Sequence, residues 1–118
     1  MGHLSTHVLD TMHGCPAAGM QVRLLRIDGA ATHTLAAFAL DADGRHAGGP
    51  LLDATAMAVG RYRLVFAVAP YFRARGVTLP EPPFIDEVQL DFGISDAAGH
   101  YHVPLLVSPW SYSTYRGS

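Results

Sequence analysis

Lysine and asparagine are both missing from this chain of 118 residues, so all eight of its cationic side chains are arginines. Ten carboxylates stand against them and the formal net charge is −2. That balance excludes the basic footprint of a nucleic-acid-binding protein. The arginine bias reads as a mark of base composition rather than of function. Cysteine is almost missing: Cys15 stands alone in "HGCPAAG". A single cysteine makes no intramolecular disulfide and no cysteine-rich zinc site. With no base beside it in sequence it reads as an incidental thiol, not a nucleophile. No apolar run approaches the ~20 residues of a membrane span. The opening "MGHLSTHVLD" has neither the charged start nor the apolar stretch of a signal peptide, so a cytoplasmic location is expected. There is no phosphate loop either, because "HAGGPLL" lacks the Lys and the helix that would follow one. Ser stands near His in "STH" and "YST", but neither forms a nucleophile elbow.

What is present is apolar and regularly patterned. The hydrophobic fraction of 49% is that of a globular chain, and a length of 118 residues predicts one domain over 1–118. Strand-like segments alternate with turn signals. "LSTHVLD" puts Leu4, Thr6 and Val8 on one face and Ser5 and His7 on the other. "MQVRLLRI" turns Met20, Val22 and Leu24 inward, and the Ala-rich "THTLAAFAL" is a weaker strand. "DADGR" carries the Asp-Gly signal of a tight hairpin. "GRYRLVFAV" points Tyr62, Leu64, Phe66 and Val68 inward, and "PYFRARG" is one short helix from Pro70 to Gly76. "DEVQLDFGI" turns Val88, Leu90, Phe92 and Ile94 inward. "HYHVPLLV" does the same with Tyr101, Val103, Leu105 and Val107, and "SYSTYR" is a last short strand. About eight strands and one short helix predict a mainly β, two-sheet antiparallel sandwich.

The outer faces of such a sandwich should be polar, but Leu9, Pro104 and Leu106 share theirs with His7 and His102. An apolar outer face marks a partner surface, so a homo-oligomer is expected. Seven histidines are many for this length. Taken alone, His7, His102 and Arg45 are each compatible with an ordinary solvated side chain. His100 and His102 lie two apart on one strand and could pair on a metal. A third ligand would have to be His3 or His7 on a neighbouring strand, and no Cys or Glu is spaced to complete a site.

Three blocks narrow the reading. "LSTHVLDTMHGCPAAG", "DADGR" and "HYHVPLLVSPWSYSTYRGS" together resemble the 5-hydroxyisourate hydrolases, the transthyretin-related enzymes of urate degradation. "GRYRLVFAVAPYF" and "FIDEVQLDF" match in order and spacing, so the resemblance covers the whole chain. It implies a transthyretin-like sandwich assembled as a homotetramer, with active sites at the subunit interface. It implies a metal-independent hydrolase, without cofactor, that opens 5-hydroxyisourate to 2-oxo-4-hydroxy-4-carboxy-5-ureidoimidazoline. Carried over position by position, the catalytic residues are His7, Arg45, His102 and Ser118, and the substrate-binding residues are Tyr115, Arg116 and Gly117. Gly117 would let the backbone turn tightly. Transthyretin itself, a carrier, resembles the chain less well, lacking the His, Arg, His set and the YRGS end. Trp110 stands where the family usually has Tyr, and the turn "TMHGCP" is less basic than is common there.

Overall fold

Alternation of apolar and polar side chains decides which face of each strand meets the core. In the computed structural model, which describes residues 1–117, β1 (His3–Asp10) buries Leu4, Thr6, Val8 and Asp10 and leaves His3, Ser5, His7 and Leu9 half exposed. The chain then turns and lays down β2 (Cys15–Pro16), a two-residue strand inside what the sequence presents as a turn. β3 (Gln21–Asp28) and β4 (Ala31–Ala39) form a hairpin, in which β4 is the exposed edge. β5 (Gly60–Ala67) leads directly into α1 (Val68–Ala74). β6 (Glu87–Ile94), β7 (His100–Val107) and β8 (Tyr112–Thr114) complete the order.

These strands make two four-stranded sheets, β2-β1-β7-β8 and β4-β3-β5-β6. Their inner faces enclose a core led by Leu4, Met20, Leu24, Tyr62, Leu64, Phe66, Phe72 and Leu105. The architecture is the transthyretin-like sandwich expected. One pairing departs from antiparallel: β1 runs parallel to β7, from His3 opposite His100 to Asp10 opposite Val107. A parallel neighbour needs a long crossover, here most of the chain. The helix also starts earlier than its proline suggests, at Val68, with Pro70 as its third residue. A proline in the first turn removes an N–H that has no helical partner anyway.

Two features prepare the site. The first corrects the reading of "DADGR", which is not a hairpin. Gly44 has φ +73°, and a Cβ there would lie 2.5 Å from the Val8 carbonyl oxygen. Only glycine fits such a contact. The turn carries the chain from β4 across to the free edge of β1. There Arg45 bridges to His7 and Leu52 to Leu4, and the Val8 N–H donates to the Gly44 carbonyl at 2.9 Å.

The second is the anchor at the end of β1. Asp10 is fully buried. Its carboxylate accepts from the His13 backbone N–H at 2.9 Å, the His13 ring at 2.6 Å and the Tyr71 hydroxyl at 2.8 Å. Burial pulls its pKa upward, but these hydrogen bonds outweigh burial and hold it below the usual carboxylate value. Burial and the Asp10 charge push the Tyr71 phenol far up. One buried charge thus ties α1 to the first sheet.

Candidate active site

The parallel register of β1 and β7 sets their outward side chains in rows. His3 stands opposite His100, Ser5 opposite His102, His7 opposite Pro104 and Leu9 opposite Leu106. The flanking bridges extend two of these rows. Arg45 lies beside His7 on the β2 side, and Gly117 beside His102 on the β8 side. Arg45, His7, His102 and Gly117, far apart in sequence, are therefore near neighbours on one sheet face.

The face is basic. Neither β1 nor β7 places a carboxylate on it: their outward residues are His3, Ser5, His7, Leu9, His100, His102, Pro104 and Leu106. His102 is half buried, and its pKa lies below the ordinary histidine value. Burial is the largest cause, followed by the charge of Arg45 and the proximity of His7 and His3. All of these disfavour the imidazolium and bias His102 toward the neutral form that can act as a base. Its Nδ1 lies 2.8 Å from the Ser5 hydroxyl, which leaves Nε2 as the ring nitrogen available to a ligand.

The chain end divides between the two sides of the sheet. Gly117 donates its N–H to the His102 carbonyl at 2.7 Å. A Cβ on Gly117 would lie 2.9 Å from His102 Cδ2 and 3.2 Å from its Cβ. Its φ is outside the left-handed region, so glycine serves here to let backbone lie against the imidazole, not to make the tight turn expected. Arg116 turns the other way. Its guanidinium sits 4.1 Å over the Tyr101 ring and donates to the His100 carbonyl at 3.1 Å. Tyr101 is on the core side of β7, so Arg116 is across the sheet from His102. Tyr115 is exposed. Ser118 lies outside the described residues.

The remaining candidates fall away from this cluster. The His3 and His100 rings lie tilted against each other with centroids 4.3 Å apart, and His100 Nε2 donates to the Met1 carbonyl at 2.7 Å. Among the described residues, no three His, Cys, Asp or Glu side chains converge so as to hold a metal ion. Cys15 is half buried, with Arg75 Nη1 3.4 Å from its sulfur. Trp110 is exposed and faces Phe84 at 6.2 Å. The polar neighbour that sequence reasoning missed is Ser5. Its place on the His7 face was legible, but its contact with His102 depends on a register that local pattern does not set.

A face that gathers an imidazole biased toward its neutral form, a second histidine and an arginine can deprotonate water and bind the oxygens of a planar, anionic ligand. Comparison with known proteins adds what geometry alone leaves open. Residues 4–117 match the HIUase/Transthyretin family. A 5-hydroxyisourate hydrolase from Pseudomonas aeruginosa is 52% identical over 118 residues, covering 100% of this chain and 93% of that protein. The solved structure of the Klebsiella pneumoniae 5-hydroxyisourate hydrolase superimposes with a TM-score of 0.81 at 37% identity, covering 100% of both chains. A crystal structure of (S)-allantoin synthase superimposes with a TM-score of 0.93 at 45% identity, and there the chain spans 44% of the longer protein.

Proposed function

The chain belongs to the HIUase/transthyretin family, and on that premise we propose that it is a 5-hydroxyisourate hydrolase acting in urate degradation. The observation that carries the reading is the clustering of His7, Arg45 and His102 on one sheet face. Those are three of the four positions at which the family resemblance puts its catalytic residues; the fourth, Ser118, lies outside the described residues.

Water adds to the ring carbonyl of 5-hydroxyisourate, and the ring C–N bond then breaks. The departing nitrogen takes a proton, the carbonyl carbon becomes a carboxylate, and 2-oxo-4-hydroxy-4-carboxy-5-ureidoimidazoline results. His102, biased toward its neutral form by its surroundings, accepts the proton of the attacking water at Nε2. His7, across the strand pair and next to Arg45, positions that water. Arg45 offers a planar fork of N–H donors to the oxygen on which negative charge develops. Gly117 lets the chain end lie against the His102 ring, and Ser118 completes the site. Tyr115 and Arg116 bind the substrate, Arg116 doing so on leaving the Tyr101 ring.

The working unit is a homotetramer with its active sites at subunit interfaces, in the cytoplasm. The apolar outward residues Leu9 and Leu106, in the row beyond His7, support the interface. The test is to add the protein to fresh 5-hydroxyisourate and follow its ultraviolet decay. Decay well above the spontaneous rate is expected. An unchanged rate, with binding of the compound retained, would make this a carrier and overturn the reading.

A further inference from the structure

We propose that Ser5 is the positioning residue for His102: its hydroxyl holds the imidazole through Nδ1 and so presents Nε2 to the substrate. The proposal rests on the hydrolase reading above. Ser5 and His102 are directly opposite each other in the parallel register, so the backbones of two core strands set their separation. The Oγ–Nδ1 distance of 2.8 Å is that of a well-formed hydrogen bond.

A hydroxyl can donate or accept. It donates to Nδ1 when the imidazole proton is on Nε2. It accepts from Nδ1–H when the proton is there or when the ring is doubly protonated. The contact therefore survives every protonation state that a base passes through in turnover. On the opposite edge of the ring, His102 Cδ2 meets the Gly117 backbone so closely that a Cβ there would stand 2.9 Å away. Fixed at Nδ1 and confined at Cδ2, the ring has one orientation.

Serine also differs from the more familiar carboxylate partner of histidine. A carboxylate would stabilise the imidazolium and raise its pKa. Among the described residues, the groups facing His102 are Arg45 from the turn after β4, His3 and His7 from β1, His100 two residues away on β7, and the Gly117 backbone beyond β8. None of these described groups is a carboxylate, and Arg116 is turned to Tyr101. A neutral hydroxyl orients the ring without offsetting the positive charge of Arg45.

Three variants test this: Ser5→Ala, Ser5→Asp and Ser5→Thr. Nitrogen-15 NMR of the full chain without substrate reads the tautomer and titration of His102, and kinetics on 5-hydroxyisourate read the pH profile. Ser5→Ala should lower kcat roughly 10-fold with KM little changed, as expected when a reacting group loses its orientation. Its His102 ring-nitrogen shifts should move toward a tautomer average. Ser5→Asp should move both the His102 titration and the acid limb of kcat/KM to higher pH. Ser5→Thr should restore kcat to near wild type. Unchanged ring-nitrogen shifts and pH profile in Ser5→Ala would overturn the proposal. Should that variant fail to fold, equal His102 titration in the Asp and Thr variants would overturn it instead. The NMR result stands whether or not the wild-type protein hydrolyses 5-hydroxyisourate, so the two readings fail separately.

Discussion

The two sheets turn very different faces to the outside. On the second sheet two outward arginines meet opposite charges across the strands. Arg63 stands opposite Asp91 and grips it with two hydrogen bonds, Nε at 2.6 Å and Nη2 at 3.0 Å. Arg23 reaches Glu87 at 3.7 Å. On the first sheet the outward positions of β1 and β7 carry four histidines with Arg45 alongside, and neither strand supplies a carboxylate there. Cross-strand pairs of opposite charge are the ordinary way a solvated sheet face settles its electrostatics. Burial first, and then the charge of Arg45 with His7 and His3 nearby, holds the His102 pKa below its ordinary value, and neither β1 nor β7 sets a carboxylate beside Arg45 to compete with a ligand. What separates the two faces is the company their charges keep: arginine beside carboxylate on the second sheet, arginine beside imidazole on the first.

The comparison breaks most sharply at the histidines. His7→Ala and His102→Ala should each lower turnover of 5-hydroxyisourate by roughly 10²–10⁴-fold, the usual share of a positioned acid–base group. Circular dichroism and the thermal midpoint should stay near wild type, because both side chains lie on the outer face of β1 and β7. Near-normal turnover in either variant would remove the special status of the first face.

Arg45 comes next, and its charge and shape can be separated. Arg45→Ala should cost about 10²-fold in kcat, in the range for losing a donor to a developing anion. It should also shift the pH profile, and the sign is fixed. His102 acts as a base only when neutral, so the rate falls as pH drops through its pKa. Burial and then Arg45 hold that pKa below the ordinary value. Removing the arginine lets it rise, so the acid limb moves to higher pH. Arg45→Lys keeps the cation and should leave the limb in place while kcat still falls, since an ammonium lacks the planar fork. Identical acid limbs in the Ala and Lys variants would mean that Arg45 does not tune the base.

Gly117→Ala probes a steric margin. The new Cβ would start 2.9 Å from His102 Cδ2, so the ring or the chain end must shift by a few tenths of an ångström. A displaced base lowers kcat about 10-fold in steady-state kinetics, where misplacements of an ångström cost more. A variant with unchanged kcat would show that the close approach of the chain end does not hold the ring.

Much of this contrast was written locally, and some was not. The two-residue period in "LSTHVLD", "GRYRLVFAV" and "HYHVPLLV" assigned inward and outward faces correctly, because period-2 burial is set by each strand's own side chains. The same alternation continues through Leu4, Thr6 and Val8 to Asp10, yet only the fold shows why an acid can be buried there: Tyr71 arrives from the helix, 61 residues later. Pairing between β1 and β7 joins residues 97 apart in sequence, and no local pattern fixes such a register. Hence His7 and His102 were legible as outward residues, while the contact of Ser5 with His102 was not. "DADGR" showed its turn but not its destination, since a glycine signal reports backbone conformation and says nothing of which strand edge the chain will meet. The place of Arg116 over Tyr101 likewise depends on β8 folding back along β7.

The smallest effect is expected where the charges are already matched. Asp91→Asn removes the partner of Arg63 on the second sheet, and the two side chains are 46% and 29% exposed. The hydrogen bond from Arg63 holds the Asp91 carboxyl below its usual pKa, so whatever the pair contributes is present above the ordinary Asp value and fades as pH falls through the lowered one. Water and salt screen such a pair, and exposed ion pairs contribute little to stability. Turnover of 5-hydroxyisourate should equal wild type at every pH, and the urea midpoint should move little, with the remaining difference shrinking as salt is added. Asp10→Asn supplies the scale for that measurement. Its carboxylate is fully buried and accepts three hydrogen bonds, and disturbing such a buried polar group costs about 1–3 kcal/mol. If Asp91→Asn lowers the midpoint as much as Asp10→Asn, or slows turnover, then matched charges on the second face are not inert and the distinction between the two faces fails.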